Sequence, residues 1–276
     1  MTASEAPESA PASVVPDRPR VRVERRGPVL LMGLDRPDKR NAADHRMLVE
    51  LALAYGELDR DPELRVGVVH GIGDHFTGGL DLGDVAPRIG DDGLDIVPEG
   101  GVNPWRVDGT GVSKPVVVAV QGSCLTLGIE LILAADIAVA ADSTSFAQLE
   151  VSRGILPFGG ATLRLPAAIG WGNAMRWMLT GDAFDAAEAL RLGLVQEVVP
   201  HGTELERAIA IAERIAAQAP LAVQAALANA RLAQSAGEEA AALALQPELV
   251  RLSRSEDAGE GVRAFLERRE PRYTGR

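Results

Sequence analysis

The chain has 276 residues, of which 46% are hydrophobic and 24% charged, a balance typical of globular proteins rather than disordered or fibrous ones. Its 28 Lys and Arg residues against 39 Asp and Glu give a formal charge of −11, which argues against nucleic-acid and anionic-membrane partners, because both are polyanions. A single cysteine, Cys124, excludes an internal disulfide framework, and four histidines leave little for a metal centre. We therefore expect no metal site and a cytoplasmic location.

The N-terminal stretch is rich in Ala, Ser, Pro and Glu, and it has neither the basic start and apolar middle of a secretory signal nor any periodicity. A disordered tail is predicted over residues 1–20. The most apolar stretch, residues 125–141, is interrupted by Glu130 and Asp136 before it reaches the length of a membrane span. We expect it to be a buried core segment, with no membrane partner.

Short apolar runs then alternate with helical patterns. Strands are predicted at residues 21–24, 29–34, 66–70, 116–120 and 137–140. Several of these runs are apolar throughout, which is typical of strands covered on both faces. Residues 44–60 and 127–135 have the patterns of helices. Together these elements predict an α/β fold.

The last part of the chain becomes helical. Asp185 followed by Glu188 predicts the start of a helix, Gly193 marks its end, and a strand is predicted over residues 195–199. Apolar residues at helical spacing and a high alanine content follow. The sequence therefore predicts a helical C-terminal region over residues 201–276.

A long poorly patterned stretch, residues 88–113, carries six glycines and is predicted to be a loop with at most short helical turns. A substrate lid and a surface insertion both fit it, and Trp105 within it either covers a ligand or anchors the loop. The chain contains no GxxxxGK[ST] motif and no GxGxxG after a strand, so the sequence does not support nucleotide binding by those motifs.

Two glycine-containing segments, residues 75–82 and 121–130, join strands to helices. A helix N-terminus presents unpaired N–H groups and a partial positive charge. The N–H of Leu80 is a candidate donor in the first segment, and Thr126 is predicted to cap the helix that carries Glu130 in the second. Two convergent donors would stabilise the oxyanion of a thioester polarised toward its enolate by about 3–4 kcal/mol each, without a cofactor.

Two carboxylates stand out in and near these segments. Glu130 lies in an otherwise apolar run, where an ionisable group is costly unless it is paired or used. Glu150 follows the strand predicted at residues 137–140 and, taken alone, fits an ordinary loop carboxylate. His70 and His75 are interpreted as structural residues.

Seven segments in order resemble one protein family. They are residues 34–42, 76–82, 114–136, 146–150, 159–160, 181–199 and 265–269. The chain resembles the crotonase superfamily, the enoyl-CoA hydratase/isomerase family. The resemblance implies a spiral of ββα units over residues 21–200, followed by a helical trimerisation region. It also implies an acyl-CoA substrate and assembly as a homotrimer or a dimer of trimers.

The resemblance assigns a role to each candidate. It places the oxyanion-hole N–H groups at Leu80 and Leu127, and the two glutamates of enoyl-CoA hydratases at Glu130 and Glu150. Hydration of a 2-enoyl-CoA to a 3-hydroxyacyl-CoA, as in fatty acid metabolism, needs one group to deprotonate water and another to protonate the α-carbon. Two neighbouring carboxyls split their pKa values and suit that division. We assign Glu130 to water activation and Glu150 to proton exchange at the α-carbon.

The resemblance also implies where coenzyme A binds. It places Lys39, Arg40, Ala42 and Asp81 against the nucleotide and the pantetheine arm, and the two cations suit the phosphates. Coenzyme A is part of the substrate here, so no separate cofactor is expected.

Other functions remain open at this point. Leu80, Thr126 and Leu127 stand where hydratases have small residues. Crowding of the oxyanion site by these side chains would favour a non-catalytic acyl-CoA-binding protein. Double-bond isomerases of the family need one carboxylate, so the presence of Glu130 as well as Glu150 favours hydration. Dienoyl-CoA isomerases use an additional acid at the position of Phe158.

Overall fold

The structure is a computed structural model in which residues 18–107 and 111–276 are described. The strands are β1 Val21–Arg26, β2 Val29–Leu34, β3 Val66–Gly71, β4 Val116–Val120, β5 Ser123–Leu125, β6 Ile137–Ala141, β7 Ser145–Ala147, β8 Phe184–Asp185 and β9 Glu197–Val199. The helices are α1 His45–Arg60, α2 Leu82–Val85, α3 Leu127–Ala134, α4 Ala161–Ile169, α5 Trp171–Thr180, α6 Ala186–Leu192, α7 Glu204–Ala216, α8 Pro220–Ala236, α9 Glu238–Ser253 and α10 Glu256–Glu267. The predicted tail lies outside the described residues, apart from residues 18–20.

One large sheet contains most of the strands, in the order β1, β2, β3, β4, β6 and β9. β1 pairs antiparallel with β2, and each following pair is parallel. β2 and β4 are buried along their whole length, because a parallel sheet has both faces covered. The strands predicted from continuous apolar runs and the predicted α/β class are therefore confirmed.

The two faces of the sheet pack against different helices. Leu30 and Met32 of β2 belong to a cluster that includes apolar residues of α1, whereas Leu31, between them, belongs to a second cluster on the opposite face. In that second cluster, Ala208 and Ala212 of α7 are completely buried. Small side chains on α7 thus let the first helix of the predicted C-terminal region lie close to the sheet.

The predicted helix start and end around α6 are confirmed. The Glu188 N–H donates to Oδ1 of Asp185 over 2.8 Å, and Gly193 ends the helix with a left-handed φ of 84°. The strand predicted over residues 195–199 is present as the shorter β9. The division of the chain at residue 200 stays a prediction.

A second, small sheet was not predicted. β5 pairs parallel with β7, and β7 pairs antiparallel with β8. Phe146 of β7 stacks on Phe184 of β8, with 5.5 Å between ring centroids. This sheet fixes the chain immediately before α3 and before Glu150.

The described part of residues 88–113 is irregular, as predicted. Trp105 is buried within it, and its indole Nε1–H donates to the Leu127 carbonyl over 3.1 Å. Trp105 was predicted either to cover a ligand or to anchor the loop. The hydrogen bond shows that it anchors the loop to α3. Within residues 18–107 and 111–276, no helix combines the length and apolar character needed to cross a membrane.

Candidate active site

The two glycine-containing segments lie side by side. The Thr77 N–H donates to the Ser123 carbonyl over 2.9 Å, which joins residues 75–82 to β5. Gly79 has a φ of +97°, and a Cβ placed there would collide with Oγ1 of Thr126. A glycine is therefore required for this close approach.

The pairing of the first segment leaves the Leu80 N–H free. The Ala43 N–H donates to the Gly79 carbonyl over 2.8 Å, and the Ala43 carbonyl accepts from the Asp81 N–H over 2.9 Å. In such a parallel arrangement Ala43 bonds the residues on either side of Leu80, whose own N–H faces away from it. Among the described residues, the Leu80 N–H has no acceptor.

Leu127 supplies the second predicted donor. It is the first residue of α3, where backbone N–H groups have no partner inside the helix. Its N–H donates to no acceptor in the part of the chain that the structure describes. The Leu127 side chain is only 6% exposed and belongs to the apolar core, so it packs inward.

Thr126 does not cap α3 as predicted. Its φ and ψ are 50° and −112°, and its side chain makes no capping hydrogen bond, so that prediction is wrong. A positive φ at a β-branched residue costs about 1–3 kcal/mol and persists only where the surroundings impose it. Here the Thr126 N–H is held by the Ala147 carbonyl over 2.9 Å.

Glu130 lies one turn into α3 and is 2% exposed. The Ala161 N–H donates to its Oε1 over 3.1 Å, and a Cβ on Gly159 would lie 2.5 Å from its Oε2. Burial raises the pKa of Glu130 to about 7, although hydrogen bonds from Ala161 and Gly159 and the charge of Arg164 act to lower it. The Glu130 carboxyl is therefore buried and closely packed.

Glu150 begins a short 3₁₀ helix, Glu150–Arg153, and is 4% exposed. The Gln148 side-chain amide donates to its Oε1 over 3.1 Å, whereas its Oε2 is buried without a hydrogen-bond partner among the described residues. Burial, with a smaller contribution from the charge of Glu130, raises the pKa of Glu150 to about 7. The two carboxyls are thus close enough to interact electrostatically.

A cavity of 530 Å³ is lined by Leu80, Thr126 and Glu150, whereas Glu130 and Leu127 are not among its lining residues. Much of its remaining wall is apolar and includes Ala42, Leu82, Leu149 and Ile155. Apolar walls with a few convergent polar groups are typical of small-molecule sites.

The residues predicted to contact coenzyme A lie at one side of the cavity. Lys39, Ala42 and Asp81 line it, and Arg40 adjoins Lys39 in the chain but is not part of the wall. The Asp81 carboxylate accepts from Arg36 over 2.8 Å. In the described ranges, Lys39 and Arg40 form no ion pair, so both cations are available to an anionic ligand.

Sequence reasoning missed one cation at this cavity. Arg153 lines the same wall as Glu150 and forms no ion pair with the residues described. Side chains three residues apart on a 3₁₀ helix lie on the same side, which explains why both face the cavity. The sequence shows that Arg153 lies three residues after Glu150, but this spacing places the two side chains on one side only in a 3₁₀ helix, which was not predicted.

Comparison with protein families gives a clear result. The family model for enoyl-CoA hydratase/isomerase matches residues 24–276. The chain therefore belongs to the enoyl-CoA hydratase/isomerase family, the crotonases, as its motifs indicated.

Individual relatives agree with that assignment. Enoyl-CoA hydratase EchA19 of Mycobacterium tuberculosis is 34% identical, over 96% of this chain and 100% of its own length. The 2,3-dehydroadipyl-CoA hydratase of Escherichia coli is 33% identical, over 92% of this chain and 98% of its own. The crystal structure of a probable enoyl-CoA hydratase/isomerase from Mycobacterium abscessus is 57% identical, with a TM-score of 0.91 and coverage of 93% and 99%. The crotonase fold is thereby shown.

The raised carboxyl pKa values predict a pH-dependent cost to stability. Between pH 4.5, the ordinary pKa of glutamate, and about 7, the unfolded chain loses these protons while the folded chain keeps them. The free energy of unfolding therefore falls across this window. We expect Glu150→Gln to match wild type near pH 4.5 and to become progressively more stable than wild type up to about pH 7.

Urea denaturation at a series of pH values measures this difference. Glu270→Gln, which removes an exposed carboxylate near the C-terminus, is the control and should show no such trend. A Glu150→Gln curve parallel to wild type over the whole window would show that the carboxyl is solvated in the folded protein.

Proposed function

We propose that this protein is an enoyl-CoA hydratase, which reversibly adds water to a 2-enoyl-CoA to give a 3-hydroxyacyl-CoA. The observation that carries the proposal is a pair of buried carboxyls that interact, Glu130 and Glu150, each with a pKa of about 7. Glu150 lines a cavity together with Leu80, and the Leu80 and Leu127 N–H groups have no acceptor among the described residues. The names of the two hydratases among its relatives support it.

The Leu80 and Leu127 N–H groups form the oxyanion hole in this proposal. As water adds to C3, the C2–C3 double bond becomes a single bond, and negative charge moves through C2 onto the thioester oxygen. Hydrogen bonds to that oxygen strengthen as its charge grows and therefore lower the barrier.

The two carboxyls divide the proton transfers. Glu130 in its ionised form takes a proton from water as the oxygen bonds to C3, and Glu150 in its protonated form delivers a proton to C2. A pKa of about 7 makes both forms of each residue accessible near neutral pH. Because the groups interact, they titrate as a pair, and the reverse reaction exchanges the two roles.

The side chains of the donor residues leave room for a substrate. Leu127 packs into the core, and Leu80 forms part of the wall of the 530 Å³ cavity. A cavity there serves an enzyme and a binding protein alike, and it is the buried carboxyl pair, which binding alone does not need, that favours an enzyme. Position 158, where dienoyl-CoA isomerases use an additional acid, is a phenylalanine in this chain. The presence of both Glu130 and Glu150 favours hydration over isomerisation.

Coenzyme A enters as part of the substrate, and the proposed reaction needs no separate cofactor or metal. Lys39, Arg40 and Arg153 would meet its phosphates, while Ala42 and Asp81 lie beside the pantetheine arm. The support for this arrangement is a group of unpaired cations near one cavity of a chain whose formal charge is −11.

A homotrimer or a dimer of trimers in the cytoplasm completes the proposal. Support for assembly comes from large apolar side chains that the C-terminal helices expose. Leu243 on α9 is 74% exposed, and Phe265 and Leu266 on α10 are 82% and 74% exposed. Such side chains are typical of surfaces that another subunit covers.

The first test is hydration of short, medium and long 2-enoyl-CoA thioesters, followed by the loss of absorbance of the conjugated thioester. We expect wild type to turn over, and Glu130→Gln and Glu150→Gln to lower kcat by about 10²–10⁴-fold, because each variant removes a proton-transfer group. Substrate affinity should change little, and Glu270→Gln is the matched control. Absence of hydration across the panel would contradict the proposal, and migration of a 3-enoyl double bond without hydration would favour an isomerase.

The coenzyme A site is tested by Lys39→Gln. Because an exposed cation contributes about 0.2–1 kcal/mol, we expect KM for a CoA thioester to rise about two- to fivefold. KM for the same acyl group on pantetheine, which lacks the nucleotide phosphates, should stay constant. Arg254→Gln, at the far end of α9, serves as the control. An equal change with both substrates would place Lys39 outside the phosphate site.

The assembly is tested by Phe265→Asp, which places a charge in the exposed apolar surface of α10. Light scattering should give a trimer or hexamer for wild type and a smaller species for the variant, because burial of an unpaired charge is costly. Leu53→Asp, at an exposed leucine on α1, is the control. A monomeric wild type would contradict this part of the proposal.

A further inference from the structure

Thr126 combines features that the proposed mechanism does not use. It lines the cavity beside Leu80, and it directly precedes Leu127 in the chain. Its side chain also packs on Gly79, the residue before Leu80. Thr126 therefore contacts or adjoins both segments that carry the predicted donors.

The hydroxyl of Thr126 has no hydrogen-bond partner. Its Oγ1 is buried, and no donor or acceptor among residues 18–107 and 111–276 bonds to it. A buried hydroxyl is normally satisfied, so an orphaned one at the edge of a cavity calls for an explanation. Because the hydroxyl makes no hydrogen bond where it lies, rotation about the Cα–Cβ bond toward the cavity breaks none.

The backbone of Thr126 adds an independent observation. Its φ of 50° and ψ of −112° are conformations that glycine adopts freely and a β-branched residue does not. The strain is thus specific to the side chain at this position. Strained residues concentrate at functional sites, where the side chain has a role that a relaxed alternative cannot fill.

We propose that the Thr126 hydroxyl is a third hydrogen-bond donor to the thioester oxygen, in addition to the Leu80 and Leu127 N–H groups. The inference rests on the proposed function, because it assumes a thioester in the cavity. No covalent bond to Thr126 forms or breaks. The hydroxyl hydrogen points at the oxygen, and the bond strengthens as negative charge develops there during addition of water.

The proposal also explains why a threonine, rather than a small residue, stands at position 126. Leu80 and Leu127 contribute only main-chain N–H groups, whereas Thr126 contributes a side-chain donor from the same place in the fold. If Thr126 donates through its side chain, substitution of Thr126 weakens the stabilisation of the oxyanion. If only main-chain N–H groups donate, removal of the hydroxyl has no such effect.

Three substitutions at Thr126 separate the hydroxyl from the shape of the side chain. Thr126→Val keeps the branched shape and the contact with Gly79 but removes the hydroxyl. Thr126→Ser keeps the hydroxyl, and Thr126→Gly removes both the side chain and the strain. We expect Thr126→Val and Thr126→Gly to lower kcat/KM about tenfold or more, and Thr126→Ser to restore most of it. Thr126→Gly should nevertheless resist urea at least as well as wild type.

A second readout does not depend on turnover. A 3-ketoacyl-CoA ionises to an enolate, whose ultraviolet absorbance reports how strongly the protein stabilises charge on the thioester oxygen. Titration of the bound ligand with pH should give a higher apparent pKa in Thr126→Val than in wild type, and a near wild-type value in Thr126→Ser.

The two readouts distinguish the failure of each idea. If wild type hydrates no enoyl-CoA but Thr126→Val still weakens enolate formation, the hydratase proposal fails and the role of Thr126 stands. If Thr126→Val equals wild type in both measurements, the residue acts only through its shape and the inference is overturned. A wild-type complex that stabilises no enolate at any pH would also overturn it.

Discussion

The removal of two carboxyl groups from water is the constraint on which this site depends. Glu130 and Glu150 are almost closed to solvent, and burial raises the pKa of each to about 7. Neither is neutralised by a direct ion pair with a described residue. Main-chain and side-chain amides hold one oxygen of each instead, so the groups keep their orientation while their protons remain exchangeable. The fold therefore tolerates a cost to stability at neutral pH, where both carboxyls would be ionised in the unfolded chain.

The rest of the local structure serves to hold that pair beside main-chain donors. Gly159 lets the chain close on Glu130, and Gly79 lets the first segment approach Thr126. Because a main-chain N–H exists whatever side chain follows, leucines at both donor positions are compatible with an oxyanion site. Their bulk acts on the shape of the cavity and on the core, rather than on the presence of the donors.

Features that depend on hydrophobic patterns or motifs could be predicted from the sequence. Features that depend on the backbone torsion angles of a few residues could not. Continuous apolar runs marked β2 and β4, and a capping pair marked the start of α6. The two glutamates came from matching motifs, and in the structure both are buried and interact electrostatically. The small sheet was missed because strands of two or three residues carry no periodicity. The left-handed backbone of Thr126 was missed because threonine rarely adopts it, and without it a capping role was the natural prediction.

The order of strands in the large sheet has a consequence for synthesis of the chain. β1, β2, β3, β4, β6 and β9 are neighbours in the order in which they leave the ribosome, so each new strand adds to an edge that already exists. The site does not form in that gradual way. Glu130 precedes its hydrogen-bond donor, Ala161, by 31 residues, so a nascent chain that ends between them carries a hydrated glutamate on an incomplete scaffold. The hydrogen bond to Glu130 therefore waits until the chain has passed β6 and β7, and it can form before β9, the last strand of the large sheet, is made.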